Sequence, residues 1–426
     1  MSYISLLPLI IVTAGIFLTV RLSGFHIIHP LRSLRLAFSG EKTRDALSSL
    51  TLALAGTLGV GNIVGVTVGI GLGGAGSLFW LMVSACFSAV IKYSEVALSA
   101  DAGTACGIIG VIKKSFPLGK ALSCLYAALC LALSIFMGAR MQAEAIKVSA
   151  EGIGADTGKI LAPFLILLTL FICIGGKKSI KKAVIIIIPI ASLLYTGLCL
   201  SVILPRISLL PSVARKCIKD AFMPRSAAGG ILGFFISDAM REGFSRGLLS
   251  NEAGAGTSSF AHTALPERDA ARAGIFGIFE VLFDTMFLCA LTGFTVLLGT
   301  DGEITGGMSL LCKIFSSRIG GGANYALLFS VTAFALSTVL CWYYYGKICL
   351  EYLFEKRGKT IFFVLFSLSF AVGLYRELTG LIFITDTLLF FLSVISIGTV
   401  IKNSDRVKAL SESVGLIGKS GKKPDS

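Results

Sequence analysis

The chain has 426 residues, of which 55% are hydrophobic and 15% are charged, and its mean hydropathy is +0.86. This composition excludes an ordinary soluble domain and predicts a protein that crosses a lipid bilayer many times. The formal net charge is +14, but the basic residues lie mostly in short loops beside apolar segments, a pattern typical of membrane proteins, so no nucleic-acid partner is expected.

Eleven apolar segments are predicted to span the membrane. They cover residues 3–20, 48–73, 77–98, 121–146, 159–175, 183–204, 228–262, 274–299, 323–353, 360–374 and 381–401. The first has neither a basic leader nor a clear cleavage site, so we interpret it as a retained helix and not as a signal peptide. Basic residues follow it at once, which predicts an external N-terminus and a cytoplasmic C-terminus. The basic segment 207–225 falls outside the cell in this scheme and counts against the rule.

The second span carries seven glycines, among them Gly56, Gly59, Gly61, Gly65, Gly69 and Gly71, and one amide side chain, Asn62, in an otherwise apolar run. An interior glycine destabilises a helix by about 1 kcal/mol relative to alanine, so these glycines need a reason. One reason is close packing of helices through small residues. The other is a break at Gly59–Asn62, where freed backbone groups face a buried polar site.

The fourth span contains Arg140, Gln142 and Glu144. The neutral amide of Gln142 has donors and acceptors that suit an end group of a zwitterion. A position at a helix end near the outer surface is an equally good interpretation.

The seventh span is too long and too charged for an ordinary membrane helix, because it includes Asp238, Arg241, Glu242, Arg246 and Glu252. An unpaired charge at the bilayer centre costs from about 3 to over 10 kcal/mol. Arg246 and Glu252 can pair across an unwound turn at residues 250–256. Alternatively, the inner part of this segment is a cytoplasmic loop.

The ninth span places two hydroxyls, Ser337 and Thr338, one turn before Trp342. The hydroxyls are hard oxygen donors that suit a sodium ion, although most hydroxyls in membrane helices only bond their own backbone. The indole of Trp342 is a flat wall that can close a small pocket, or an anchor at the membrane interface.

The chain divides into two halves once the first span is set aside. The predicted segments are an extra N-terminal transmembrane helix (1–22), a cytoplasmic interfacial segment (23–47), a first five-helix repeat (48–204), an external amphipathic segment (205–227), a second five-helix repeat (228–401) and a disordered, basic cytoplasmic tail (402–426). Each repeat begins with a glycine-interrupted polar span. Such a pair in corresponding positions is a pointer to a transporter site at the midplane and favours the broken-helix interpretation.

Other chemistries lack support in the sequence. The eleven cysteines occur singly with no C-x-x-C pair, and the three histidines show no metal-ligand spacing. There is no phosphate-binding loop of an ATP-driven pump, and no set of nucleophile, base and carboxylate. We therefore expect neither an enzyme nor a primary pump.

Several runs form a recognisable series along the chain: Ala55–Val66 (AGTLGVGNIVGV), Gly73–Gly76, Phe79–Trp80, Lys92–Val96 (KYSEV), Ala227–Gly230, Arg246–Gly256 (RGLLSNEAGAG), Asp284–Thr285 with Cys289, and Ser337–Thr338 with Trp342–Gly346. This series resembles the alanine/glycine:cation symporter family. The matches fall in the family's order and cover most of residues 15–355. After the third span this chain has a short segment, residues 102–117, in place of the family's Gly-Gly-Pro-Met-Tyr-Tyr run.

The resemblance implies a leucine-transporter-like fold in the cell membrane, with two inverted five-helix repeats behind one extra helix. It also implies sodium-coupled uptake of a small neutral amino acid, alanine or glycine. The implied substrate residues are Thr57, Gly59, Gly61, Asn62, Gln142, Thr338 and Trp342. The implied sodium site uses carbonyls around Gly56 to Gly59 together with Ser337 and Thr338. Arg246, Ser250, Asn251, Glu252 and Gly254 would form the second broken helix and its inner gate.

Two alternatives stay open at this point. One is a carrier of the same fold for another small solute, or with proton coupling or none. The other is a membrane receptor or scaffold that keeps the fold without transport. The sequence does not indicate an oligomeric state.

Overall fold

The computed structural model describes residues 6–28, 33, 36, 51, 54–104, 106–223, 237–262, 270–302, 304–355 and 357–418, and all regular secondary structure in these ranges is helical. The longer helices are α1 (Leu7–Arg21), α2 (Val64–Gly73), α3 (Gly76–Asp101), α4 (Ile108–Ser115), α5 (Gly119–Glu151), α6 (Thr157–Ile174), α7 (Gly176–Ile203), α8 (Leu210–Ala221), α9 (Asp238–Asn251), α10 (Ala270–Gly299), α11 (Met308–Arg318), α12 (Ala323–Phe354), α13 (Lys359–Gly373), α14 (Leu381–Lys402) and α15 (Ser404–Ser413). Two of them contain a π-helical stretch, Ser134–Met141 in α5 and Leu282–Cys289 in α10.

Seven helical stretches of the described residues are long and apolar enough to cross a membrane, and three shorter apolar helices accompany them. These helices coincide with predicted spans, so the chain is an all-helical, multi-pass membrane protein. The short helix α2 belongs to the interrupted second span, and α1 and α13 match the predicted first and tenth spans. The arrangement of eleven spans as five plus five stays a prediction.

The helices differ in how much of their surface is buried. In α6 only 28% of the most apolar window is buried, whereas in α3 the figure is 78%. Since the exposed residues of α6 include Phe164 and Ile160, this helix is suited to contact lipid. The core therefore lies around α3 and α12, which are enclosed by their neighbours.

Small residues let α9 and α10 approach α3 closely. A Cβ atom on Gly247 of α9 would lie 2.2 Å from Ser84 Oγ, and one on Gly274 of α10 would lie 2.7 Å from the ring of Tyr93. Close packing through glycine is thus present in this protein. Here this close packing brings α9 and α10 against α3.

The C-terminal segment is more ordered than its composition predicts. Residues 404–413 form α15, in which Arg406 contacts the Asp101 carboxylate at 2.6 and 2.7 Å and Ser411 Oγ lies 2.7 Å from the hydroxyl of Tyr93. The prediction of a disordered tail is wrong for this helix, because these contacts and the buried Val407 attach it to α3 and its neighbours. Residues 419–426 lie outside the described residues.

Two other predicted segments flank the spans. The amphipathic segment 205–227 contains α8, whose buried side chains are Cys217 and Ala221. The segment replacing the family's motif after the third span contains α4. Of the predicted interfacial segment 23–47, the structure describes residues 23–28, which include a short helix at Phe25–Ile28, and positions 33 and 36.

Candidate functional site

The second predicted span is interrupted at the position where its glycines predict a break. Residues 54–57 are helical, Leu58 and Gly59 leave the helix, and Val60–Asn62 make a single 3-10 turn before α2 begins at Val64. Gly59 is extended, with φ −119° and ψ −159°. We call residues 58–63 the first break. It is enclosed by protein, since Asn62 is only 2% exposed.

Two side chains from other helices form hydrogen bonds with the backbone at the first break or just before it. Gln142 Oε1 of α5 accepts a hydrogen bond from the Val60 amide at 3.1 Å. Thr338 Oγ1 of α12 donates to the Ala55 carbonyl at 3.1 Å. A Cβ atom on Gly59 would lie 2.6 Å from Thr338 Oγ1 and 3.0 Å from Gln142 Oε1, so only glycine fits between them.

Gln142 is 2% exposed, so the interpretation as a surface helix end is wrong. It directly follows the π-helical stretch of α5, and its Nε2 donates to the Met137 carbonyl at 3.2 Å. A π-helical turn shifts the helix register and often marks a functional site. Here the turn is followed at once by the amide that bonds the first break.

The adjacent hydroxyls of α12 have different contacts. Ser337 Oγ donates to the Phe334 carbonyl of its own helix at 2.7 Å. Thr338 instead contacts the segment before the first break, as described above. Thr57, on the helical turn before the break, donates to the Leu54 carbonyl at 3.4 Å and is 3% exposed.

A second interruption follows α9. The helix ends at Asn251, Glu252 has a left-handed backbone with φ +55°, and the chain runs in turns to a short helix at Ser259–His262. We call residues 252–258 the second break. All residues from 242 to 262 are buried, so the interpretation of this part as a cytoplasmic loop is wrong.

The predicted ion pair between Arg246 and Glu252 is wrong. Arg246 pairs instead with Asp386 of α14 and lies 3.5 Å from Glu242 Oε2 on its own helix. Glu252 lies beyond the end of α9 and has a left-handed backbone, so its side chain leaves the helix in another direction than Arg246. Arg246 faces α2, because a Cβ on Gly69 would lie 2.7 Å from its Cγ.

Glu252 bonds α12 instead. Its Oε1 accepts from Trp342 Nε1 at 3.1 Å, and its Oε2 accepts from the Thr257 hydroxyl. Trp342 is 0% exposed, so its interpretation as an interfacial anchor is wrong. A Cβ on Gly138 would lie 2.3 Å from Trp342 Cβ, which places this side chain directly against α5.

Asp284 of α10 joins the two interrupted helices, and the sequence reasoning missed this role. Asn62 Nδ2 donates to Asp284 Oδ1, and the hydroxyls of Ser250 and Thr285 donate to Oδ2, the latter at 3.0 Å. Asn251 Nδ2 in turn donates to Thr285 Oγ1 at 3.0 Å. The available signal was a carboxylate inside an apolar span, which is a functional-site hypothesis in its own right.

The junction of the two breaks is rich in oxygen atoms, which are the donors that hard cations prefer. Asn62 Oδ1 is buried and has no hydrogen-bond partner among the described residues. The carbonyl and carboxylate of Asp284 and the hydroxyls of Ser250 and Thr285 lie at the same junction. The arrangement therefore suits a small cation such as sodium together with a zwitterion.

The polar and aromatic side chains among the predicted substrate residues are all buried. Thr57, Asn62, Gln142, Thr338 and Trp342 are all at most 3% exposed. A cavity of about 410 Å³ between α6, α7 and α12 has an apolar lining that includes none of them. That cavity faces the outside of the helix bundle, since Phe164 and Phe329 in its lining are 61% and 54% exposed, and it does not correspond to the predicted site.

Comparison with known proteins agrees with this picture. The model of the sodium:alanine symporter family matches residues 1–424. "Uncharacterized transporter YflA" of Bacillus subtilis is 29% identical over 425 residues, which is 95% of this chain and 89% of that protein. "Sodium/alanine symporter AgcS" of Methanococcus maripaludis is 32% identical over 400 residues, 88% of this chain and 86% of that protein.

A solved structure shares the fold. The crystal structure of MhsT in complex with L-phenylalanine superimposes with a TM-score of 0.55, covering 86% of this chain and 95% of that one at 16% identity. The likeness at this identity concerns the fold alone. With the family model matched over nearly the whole length, the chain belongs to the sodium:alanine symporter family.

Proposed function

We propose that this protein carries a small neutral amino acid, alanine or glycine, across the cell membrane together with sodium, by alternating access. Membership of the family supports sodium-coupled amino-acid symport. The single observation that carries the proposal is the buried junction in which Asp284 bonds both Asn62 of the first break and Ser250 beside the second. A polar junction between two interrupted helices is where transporters of this kind bind their substrates.

The first break supplies the substrate contacts in this proposal. The N-terminal end of α2 carries a positive partial charge and points backbone amides at a carboxylate. Gln142 and Thr338 already bond this backbone, and substrate oxygens or amine can exchange with such neutral bonds at little cost. The contact of Trp342 with α5 limits the space and favours a small side chain.

Sodium binding involves the carbonyls around Gly56 to Gly59, at the start of the first break, together with Ser337 and Thr338 on α12. The contact between Thr338 Oγ1 and the Ala55 carbonyl supports this placement. A sodium ion entering a cell at about −100 mV contributes roughly 2.3 kcal/mol per charge. This energy permits accumulation of some tens of fold before any concentration gradient is counted.

We further propose eleven transmembrane helices, with α1 in front of two inverted five-helix repeats, residues 48–204 and 228–401. The N-terminus lies outside and the C-terminus in the cytoplasm. Basic residues such as Arg406 in the C-terminal helix support this orientation, because positive charge concentrates on the cytoplasmic side. The rearrangement for transport changes which side of the junction is open.

Uptake by purified protein in proteoliposomes tests the function. We expect uptake of labelled alanine or glycine with a sodium gradient, and none when potassium replaces sodium on both sides. Equal uptake in potassium would favour a carrier without sodium coupling, and an inward proton gradient then tests proton coupling. Binding of alanine without uptake would favour a receptor or scaffold.

The two hydroxyls of α12 give a matched pair of variants. We expect Thr338→Val to raise the sodium concentration for half-maximal uptake about three- to tenfold, because it removes a hydrogen bond worth roughly 0.5–1.5 kcal/mol at the proposed site. Ser337→Ala tests the neighbouring donor and is expected to raise the same concentration to a smaller degree, since Ser337 bonds its own helix. Sodium titrations of uptake measure both. Unchanged half-saturation in Thr338→Val would remove Thr338 from the sodium site, and unchanged half-saturation in both variants would remove α12.

A further inference from the structure

A lysine lies fully buried beside the second break. Lys92, in the middle of α3, is 0% exposed. Burying an ammonium group without partners costs several kcal/mol of free energy. The groups that contact Lys92 therefore indicate its role. The substrate and sodium sites proposed above do not include it.

All the partners of Lys92 lie at or next to the second break. Its Nζ donates to the Asn251 carbonyl at 2.7 Å and to the Ser258 hydroxyl, and it lies 3.1 Å from Glu280 Oε2. Asn251 is the last residue of α9. Its carbonyl belongs to the negative end of the helix dipole, where a cation is stabilising.

The same network of polar contacts extends to the short helix after the second break. Glu280 of α10 contacts Lys92 through Oε2 and His262 Nε2 through Oε1. Three residues along α3 from the lysine, Glu95 Oε2 accepts from the Gly254 amide at 3.1 Å. Lys92 of α3 thus bonds the Asn251 carbonyl, and Glu95 of α3 bonds the Gly254 amide. Together these two contacts hold the second break to α3.

The first break is held differently. The Val60 amide of its backbone bonds the neutral side chain of Gln142, and the carbonyl of the preceding Ala55 bonds the neutral side chain of Thr338. Its charged contact is made by a side chain, since Asn62 donates to Asp284. Charge-assisted hydrogen bonds are about twice as strong as neutral ones. The backbone at the second break is therefore held by stronger contacts than the backbone at the first.

We propose that Lys92 is a positioning residue that acts as a built-in cation for the second break. Its ammonium group neutralises the free end of α9 as a bound metal ion would, and keeps residues 251–258 attached to α3 during transport. Sodium and substrate then act on the first break, whose neutral backbone bonds can be exchanged. This inference rests on the proposed transport function, although its first test below does not require transport.

Hydrogen exchange of the purified full-length protein tests the positioning directly. We expect amides of residues 252–258 to exchange at least about tenfold faster in Lys92→Met than in the natural protein, because local opening becomes easier. Lys147→Met is the matched control, since Lys147 pairs with Glu377 and Glu151 away from the break, and it should leave this exchange unchanged. Unchanged exchange in Lys92→Met overturns the proposal.

Transport separates positioning from simple neutralisation of Glu280. We expect Lys92→Met to lower the maximal rate of sodium-dependent uptake at least about a hundredfold, with partial recovery in Lys92→Arg, which keeps the charge. If the lysine served only to neutralise Glu280, the double variant Lys92→Met/Glu280→Gln would recover to within about threefold of the natural protein. Such recovery overturns the proposal, and we expect the double variant to stay inactive.

A third variant covers the case in which Lys92→Met does not fold. Glu280→Gln leaves the contact of Lys92 with the Asn251 carbonyl in place, so we expect slow exchange at the second break, and fast exchange there overturns the proposal. Absence of uptake by the natural protein would contradict the transport function alone. The exchange experiment would still decide the role of the lysine.

Discussion

Asp284→Asn is expected to reduce sodium-dependent alanine uptake at least about a hundredfold. The substitution keeps the shape of the side chain, but it removes the charge and replaces one acceptor oxygen with an amide nitrogen. Asn62 and Ser250 donate to different oxygens of this carboxylate from the two interrupted helices. A hydrogen bond to a charged group contributes roughly 1.5–3 kcal/mol, so losing one of them and the charge assistance of the other reaches the stated effect.

The control for this variant is an aspartate that bonds at the surface. Asp301 pairs with Arg318, and its side chain is 83% exposed. Exposed ion pairs contribute about 0–1 kcal/mol, so Asp301→Asn should leave uptake within about twofold. If Asp284→Asn transported at a similar rate to Asp301→Asn while folded, the junction between the breaks would not be part of the transport site.

Gly59→Ala is expected to lower uptake at least about tenfold in protein that still reaches the membrane, since overpacking of a filled site costs about 1–3 kcal/mol. The added methyl would lie 2.6 Å from Thr338 Oγ1 and 3.0 Å from Gln142 Oε1. Neither side chain can move without losing its bond to the backbone near the break. The variant therefore tests whether contact between three helices at this point is needed for transport.

Gly197→Ala is the matched control, because a Cβ on Gly197 of α7 would meet nothing within 4 Å. Alanine is favoured over glycine in a helix by about 1 kcal/mol, so this variant should keep full uptake and unfold at the same or a slightly higher temperature. Parallel uptake and thermal-unfolding measurements compare the two. Equal activity of both alanine variants would contradict the role assigned to Gly59.

Local features of the sequence were sufficient for the membrane class and for the interruptions. An apolar run long enough to span the bilayer is visible in composition, and the observed helices coincide with such runs. Glycines mark the first break, and the charged run after residue 238 marks the second. The ordered C-terminal helix was not predicted, because its stability comes from contacts with α3 and not from its own composition.

The sequence could not predict which residues pair with one another at the site. Arg246 was predicted to pair with the nearby Glu252, but the fold offers it Asp386, 140 residues away. Gln142, Glu252 and Trp342 each had a surface or loop interpretation that burial excludes. Their contacts join residues from different helices, and sequence spacing carries no information about which helices meet.

The sequence by itself determined that this chain is a multi-pass helical membrane protein with two interrupted segments, because hydrophobicity and glycine content act within single segments. The tertiary structure alone decided that Asp284 joins the two breaks and that Lys92 lies at the end of α9. The physical reason is desolvation. A buried charge must find its partner among whatever groups the packing of the helices brings within hydrogen-bond distance.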